Sequence, residues 1–354
     1  NYIGDIKDKS LINKIFTENR INEVYHLAAI LSTKAESIPF LSHQINVDGF
    51  LNLLEEIQNY KSEVKFFFAS SIAVYHLDNN KNIKILEDDF CNPSNMYGCN
   101  KLYCEKIGSY FSKHSNLMNN LDFRSLRFSG IISANTLPVG GTSDYAPEMI
   151  HNAVQNKDYT CYVNPQSCIP FMVMPDAIEA IINLMHSSKK KLKRNVYHIQ
   201  AFNPTVEKIY NKLKEHFPNF QLTYDVNQRR QALIDCWPCE LNQTAAINLD
   251  VLIWSGPRDT TATRGGLPDG GSDSGLDVNN ASHLTSKIAL GGTAEAGGGQ
   301  NNATKGYSDF EATDTGSVDM LTFDAGDWLA FAVDVNSGSG QGIITFAVEF
   351  LITD

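Results

Sequence analysis

The sequence predicts an α/β fold built on a parallel sheet over residues 1–248, followed by a small all-β module over 249–354. Three observations carry this. Short strand-like apolar runs alternate with stretches of helical periodicity through the first part, the pattern of strands joined by crossover helices. Composition then changes sharply near residue 250: Asn, Lys, Ile and Phe give way to Gly, Asp, Thr, Ala and Ser, and 17 of the 24 glycines fall in 251–354. Charge changes with it. Residues 251–354 hold 4 Lys+Arg and 14 Asp+Glu, leaving 25 and 26 of the totals of 29 and 40 for residues 1–250. A single folding unit rarely changes character so abruptly, so a boundary is placed at about 248–256.

The elements follow in order. Residues 23–27 form a strand running into the core. Residues 45–60 place Ile45, Phe50, Leu51, Leu54 and Ile57 at helical spacing. Residues 64–69 are a near-continuous apolar strand, 97–111 a helix, and 123–128 a strand closed by Ser129-Gly130. A helix is expected over 176–185, a strand over 196–199, and a helix over 206–216 that stops before Pro218. In the tail, residues 258–307 have loop composition. Extended segments at 320–323, 328–335 and 343–352 are separated by turn-forming Asp324-Ala325-Gly326-Asp327 and 336–342, which is hairpin chemistry.

The bulk numbers exclude several classes. No stretch approaches the roughly 18 to 20 apolar residues needed to cross a bilayer, and mean hydropathy is -0.24. No membrane association and no leader are expected. An acidic tail would repel phosphates, so nucleic acid is not expected as a partner. All seven cysteines lie in the front part. Their odd number in a large domain suggests reduced thiols and a cytoplasmic setting. Cys236-Trp237-Pro238-Cys239 is read as chance spacing, because no second CxxC completes a zinc site. The nine histidines show no HExxH spacing, and no metal is expected.

The chemistry-bearing stretch is Tyr97-Gly98-Cys99-Asn100-Lys101. Residues four apart share a helix face, so Tyr97 and Lys101 can reach one ligand. A tyrosine is a poor base at neutral pH, but a neighbouring ammonium favours its phenolate. Upstream, Phe67-Phe68-Ala69-Ser70-Ser71 is an apolar strand ending in hydroxyls. The carboxyl edge of a parallel sheet is where doubly wound folds bind ligands.

Ser71, Tyr97 and Lys101 in this order resemble the extended short-chain dehydrogenase/reductases, a family that includes NAD-dependent epimerases and dehydratases. Val24-Tyr25-His26-Leu27-Ala28-Ala29 resembles that family's fourth strand, and Asn46-Val47-Asp48-Gly49 its NVxG helix start. The run from Asp122 to Ser133, with Gly140-Gly141-Thr142-Ser143-Asp144-Tyr145-Ala146, Arg230-Gln231-Ala232 and Trp237-Pro238, closely resembles the L-threonine 3-dehydrogenase branch. The resemblance covers residues 1 to about 248. It implies a Rossmann-like domain that oxidises the 3-hydroxyl of threonine to 2-amino-3-oxobutyrate while NAD is reduced. Tyr97 would be the base, Lys101 would lower its pKa and hold the nicotinamide ribose, and Ser71 would orient the hydroxyl. Asp5 and Ile6 would touch the adenine. Leu27, Ala28, Ala29 and Asn46 would line the cofactor, with Ile131 at its nicotinamide end. Ser32, Thr142 and Trp237, with Ser71 and Tyr97, would take the amino-acid substrate. Relatives pair through helices corresponding to about 45–58 and 97–113, which implies a homodimer.

The sequence also departs from the family. No GxxGxxG phosphate loop occurs in it. The first strand, helix and second strand of a Rossmann-like fold would precede Asn1, so the domain reads as truncated and its NAD binding as weak or lost. His76 stands where the family often has Gly, and Asn100 where Ser is common. From about residue 249 the family's ending gives way to the unrelated tail, in which Phe323-Asp324-Ala325-Gly326-Asp327 looks like small phage structural modules. Two other readings therefore stand beside threonine oxidation. One is nucleotide-sugar epimerisation or dehydration on the same scaffold. The other is an inactive fragment joined to a structural β-module.

Overall fold

A computed structural model describes residues 2–78, 83–114, 116–134, 136–249 and 344–346. The chain opens with α1 (Lys9–Glu18), whose first turn is capped by the Asp8 carboxylate accepting from the Ser10 and Leu11 amides. Strand β1 (Glu23–His26) leads to the short helices α2 (Ser32–Ser37) and α3 (Pro39–His43). A π-turn over Gln44–Asp48 then runs directly into α4 (Gly49–Asn59). The expected helix over 45–60 is therefore regular only in its second half.

Next come β2 (Val64–Ser71), the two-residue β3 (Lys84–Ile85), α5 (Met96–Lys113) and β4 (Leu121–Phe128). The second half holds β5 (Gly130–Ile132), α6 (Tyr145–Val154), β6 (Tyr159–Cys161), β7 (Phe171–Val173) and α7 (Met174–His186). It continues with β8 (Val196–Ile199), α8 (Val206–His216), β9 (Leu222–Tyr224), α9 (Gln228–Cys236), β10 (Glu240–Leu241) and α10 (Thr244–Ile247). Of the tail, only β11 (Ile344–Phe346) is described; the rest of the expected β-module lies outside the described residues.

The main sheet has the order β11-β1-β2-β4-β8, and every pairing in it is parallel. In register, Glu23 pairs with Lys65 and Ser71 with Phe128. Strand periodicity splits β2 between the two faces. Phe66 and Phe68 join Ile12, Phe16, Phe50 and Leu53 beneath α1, α4 and α5. Phe67 packs on the other face with Leu126, Leu184 and Tyr197. A third cluster holds the later elements together around Tyr145, Phe171, Ile234 and Trp237. Three two-stranded parallel pairs, β3 with β10, β5 with β7, and β6 with β9, lie outside the main sheet.

Strand β4 reads Leu-Asp-Phe-Arg-Ser-Leu-Arg-Phe, yet all eight positions are buried. Its charges are consumed internally. Arg124 pairs with Asp122 and donates to the carbonyls of Leu184, Met185 and Ser187, satisfying the C-terminal end of α7. Arg127 forms a bidentate pair with Glu105 of α5 at 2.8 and 2.6 Å. Among the described residues no helix is long and apolar enough to cross a membrane.

The reduced-thiol expectation needs correction. Cys168 and Cys239 form a disulfide, with Cα atoms 5.2 Å apart. The two residues are 71 positions apart in sequence, so only the packing of the Trp237 segment against the turn before β7 brings them together. Cys239 of the CxxC thus pairs outside its own motif, and Cys236 stays outside the bridge.

Candidate active site

The catalytic candidates converge at the carboxyl end of β2. Strand β2 extends two residues beyond the expected strand, so Ser70 and Ser71 belong to it. Ser71 caps the short turn at Ile72–Val74 by accepting from the Ala73 amide at 3.1 Å. Helix α5 begins at Asn95, whose side chain accepts from the Gly98 amide at 2.8 Å. This start places Tyr97 in the first turn, Lys101 one turn later and Glu105 one turn further.

Each of the three reaches the end of β2. The Tyr97 phenol lies towards the Ser71 hydroxyl, which acts to lower its pKa. Lys101 Nζ donates to the Ala69 carbonyl at 2.7 Å. The Ser70 hydroxyl donates to Glu105 Oε1 at 2.5 Å. Close approach of helix and strand end requires glycine at position 98, where a Cβ would stand 2.1 Å from the Ala73 carbonyl oxygen.

The electrostatics differ from the simple expectation. Burial pushes the Tyr97 phenol well above its ordinary value, and the Ser71 hydroxyl pulls it back only in part. Lys101 lies 5.4 Å from the centre of the Tyr97 ring and 4.8 Å from that of Phe68. Burial brings its ammonium down to about 8, opposed by Cys104 and Glu105. Burial therefore holds the phenol neutral.

The other cofactor candidates are distributed over several elements. Asp5 is exposed, pairs with Lys7 at 3.4 Å and accepts the Lys7 amide. The Ile6 side chain is buried in the first core against Gly49. Leu27 and Ala28 are half-buried just after β1, and Ala29 is buried. Asn46 uses its amide on the backbone of Ile30, accepting its N–H at 2.7 Å and donating to its carbonyl at 3.0 Å. It shapes the loop after β1 from behind. Ile131 is half-buried in β5.

The substrate candidates meet in part. The hydroxyls of Ser32, at the start of α2, and Thr142 lie 3.1 Å apart and are buried, although 110 positions separate them. Trp237 is buried in the third cluster, and its indole N–H has no partner among the described residues; nor has the Tyr145 hydroxyl. Buried donors without partners are costly.

Residues beyond the sequence-level set also contribute. Glu105, Ser70 and Arg127 form one network with Tyr75 and His198: Arg127 donates to the Tyr75 hydroxyl at 2.8 Å, which meets His198 Nδ1 at 2.7 Å. Alternating charged and apolar residues in a strand suggest an exposed face, so the sequence hides this network. Asp144 and Arg230 hydrogen-bond the backbone of Gly140 and Gly141, next to Thr142.

With this geometry in place, comparison defines the class. The sequence profile of the NAD dependent epimerase/dehydratase family matches residues 1–199, and the chain belongs to that family. It is an enzyme scaffold of the extended short-chain type. The chain is 34% identical over 245 residues to an uncharacterized epimerase/dehydratase of Staphylococcus aureus, covering 69% of this chain and 74% of that protein. It is 32% identical over 245 residues to the mitochondrial L-threonine 3-dehydrogenase of Bos taurus, covering 69% of this chain and 63% of that one. Among solved structures it resembles L-threonine dehydrogenase from Clostridium difficile, with TM-score 0.65, 34% identity, and 72% and 76% of the two chains covered. A monomeric L-threonine 3-dehydrogenase from a metagenome gives TM-score 0.64 at 34% identity, covering 71% and 78%.

The family implies a nicotinamide dinucleotide. At one end the residues fit it. Lys101 carries three N–H donors and uses one on Ala69, which leaves donors for a ribose beside Tyr97. For the pyrophosphate, the sequence contains no GxxGxxG loop.

Proposed function

We propose that the chain is an NAD-dependent L-threonine 3-dehydrogenase, oxidising the 3-hydroxyl to yield 2-amino-3-oxobutyrate. The observation that carries this reading is the pairing of two sets of groups: Ser71, Tyr97 and Lys101 at the carboxyl edge of the sheet, and the buried Ser32–Thr142 hydroxyl pair. Likeness to threonine dehydrogenases in sequence and fold supports it.

NAD, when bound, supplies the hydride acceptor and a positive charge near the phenol. Lys101 holds the ribose through its remaining donors. Ser71 donates to the substrate oxygen and orients it. Tyr97, as phenolate, takes the proton of that hydroxyl. Ser32 and Thr142, with the unsatisfied Trp237 N–H, hold the amino-acid portion. Asp5 and Ile6 would serve the adenine end, and the loop from Leu27 to Ala29 would line the cofactor.

We assign a homodimer through the face of α4 and α5. Tyr103 and Tyr110, two turns apart on α5, are 44% and 45% exposed and would pack in such a contact.

The test is direct. Purified chain is given NAD with L-threonine, and NADH formation is followed by absorbance. Parallel assays follow turnover of UDP-sugars. Threonine-dependent NADH is expected, at a rate impaired by the missing GxxGxxG loop. Sugar turnover without it would replace this reading with epimerisation, and absence of both would leave the fold without this activity.

A further inference from the structure

The turn that carries Thr142 has the composition of a flexible loop. Gly140 has φ +92°, a conformation in which glycine is favoured. A Cβ at Gly141 would stand 2.8 Å from an Asp144 carboxylate oxygen. Such a turn normally leaves its backbone to water. Here side chains take nearly all of it. Asp144 Oδ2 accepts the amides of Val139, Gly140 and Gly141 at 3.1, 2.9 and 2.6 Å. Arg230 Nη2 donates to the carbonyls of Gly140 and Gly141 at 3.1 and 2.5 Å. Tyr162 donates its hydroxyl towards the carbonyls of Gly141 and Thr142, each at 3.3 Å. The Arg230 guanidinium lies 3.5 Å from the centre of the Tyr162 ring.

We infer that Asp144 and Arg230 are positioning residues that set the place of the Thr142 hydroxyl in the substrate pocket. An anion gathers the turn's amides from one side, and a cation gathers its carbonyls from the other. Charge-assisted bonds of this kind are roughly twice as strong as neutral ones. Glycine at 141 lets the Asp144 carboxylate approach the backbone, and glycine at 140 supplies the positive φ of the turn. The turn then delivers Thr142, 1% exposed, to within 3.1 Å of Ser32.

Helix α9 reaches the other wall as well. Arg229 pairs with Glu36 of α2 at 3.8 Å, and Glu36 accepts the Met96 amide at 2.6 Å. One helix thus touches the turn that bears Thr142 and the helix that bears Ser32. The planar fork of arginine spans two carbonyls and stacks on an aromatic ring; a lysine ammonium does neither equally well. The inference rests on reading this pocket as the threonine site.

The test compares the full chain with Arg230→Met and Arg230→Lys, by steady-state kinetics for L-threonine, thermal melting and crystal structures. Arg230→Met is expected to raise KM for threonine about tenfold, as loss of one well-placed hydrogen bond would, with a smaller change in kcat. Arg230→Lys, which keeps the charge, is expected to recover only part of that loss. In the Arg230→Met crystal the Ser32 and Thr142 hydroxyls should separate beyond hydrogen-bonding distance. An unchanged KM in folded Arg230→Met would overturn the assignment. So would a turn that keeps its place, or a loss of kcat and KM in step with stability alone. If the unsubstituted chain oxidises no threonine, the functional reading fails, and the hydroxyl separation in the crystals still decides the clamp.

Discussion

Residue chemistry at the site is governed by burial more than by pairing. Tyr97 is held neutral by desolvation, which Ser71 offsets only in part. Replacing it with Phe removes the proton acceptor while keeping the ring. Tyr97→Phe is expected to lower threonine-dependent NADH formation by about 10²–10⁴-fold with an unchanged melting temperature. Lys101 contributes a different signature. Its folded-state value of about 8 lies below the ordinary 10.5. Between those values the unfolded chain holds a proton that the folded chain has released. The cost to stability is therefore complete below pH 8 and fades as pH rises towards 10.5. Lys101→Met is expected to gain up to about 3 kcal/mol at pH 7 and to lose the rise in stability across that window, as read by urea unfolding at several pH values. A lysine that destabilises the fold in this way is a group retained for function.

His26 shows the same logic with the pH window moved. It lies among Phe50, Phe66 and Phe68, with ring centres 5.9 to 6.1 Å away, and neither ring nitrogen has a partner among the described residues. Burial and the nearby Lys101 bring it down to about 3 from 6.5. The unfolded chain takes up a proton below pH 6.5 that the folded chain refuses, so stability falls as pH drops from there towards 3. His26→Leu is expected to flatten that acid limb in unfolding measurements.

At the scale of elements, the contact of α5 with β2 and β4 decides whether the catalytic groups meet. Two glycines permit it at different places. At Gly98 a Cβ would strike the Ala73 carbonyl oxygen at 2.1 Å, beside Ser71 and Tyr97. At Gly108 it would strike the Phe123 ring at 2.3 Å, three turns away. Each Gly→Ala change is expected to cost about 1–3 kcal/mol through overpacking. Gly98→Ala should also lower kcat of the folded fraction, because the helix start carries Tyr97. Gly108→Ala should lower stability alone. Melting temperature and kcat, measured on both variants, check the distinction.

For the molecule as a whole, the later elements are fastened to the sheet by a few long-range ties. Arg194 pairs with Glu87 at 2.5 Å and with Asp88. The Leu77 amide donates to the Cys236 carbonyl at 2.8 Å. The Cys168–Cys239 bridge fixes the segment after Trp237. A cross-link over 71 positions limits the unfolded chain, and typical contributions are about 2–4 kcal/mol. Cys168→Ser is expected to lower unfolding free energy by that order in non-reducing buffer and to change nothing further once the parent protein is fully reduced.

Local pattern alone determined much of this protein. The alternation of strands and helices, the face shared by Tyr97 and Lys101, and the hydroxyl-ended strand are all legible because periods of 2 and 3.6 residues are written along the chain. So was the resemblance that led to the family. Helices α1, α6 and α9 escaped the reading although Asp8 and Asn227 cap two of them; α9 has hardly any apolar face to give it away. Tertiary structure decided what depends on distant segments meeting. It buried Arg124 and Arg127 within a strand, joined Ser32 to Thr142 and Cys168 to Cys239, and turned Asn46 onto the Ile30 backbone. The reason is physical: hydrogen bonds, ion pairs and desolvation act over a few ångströms of space, and sequence separation carries no information about which groups folding will bring that close.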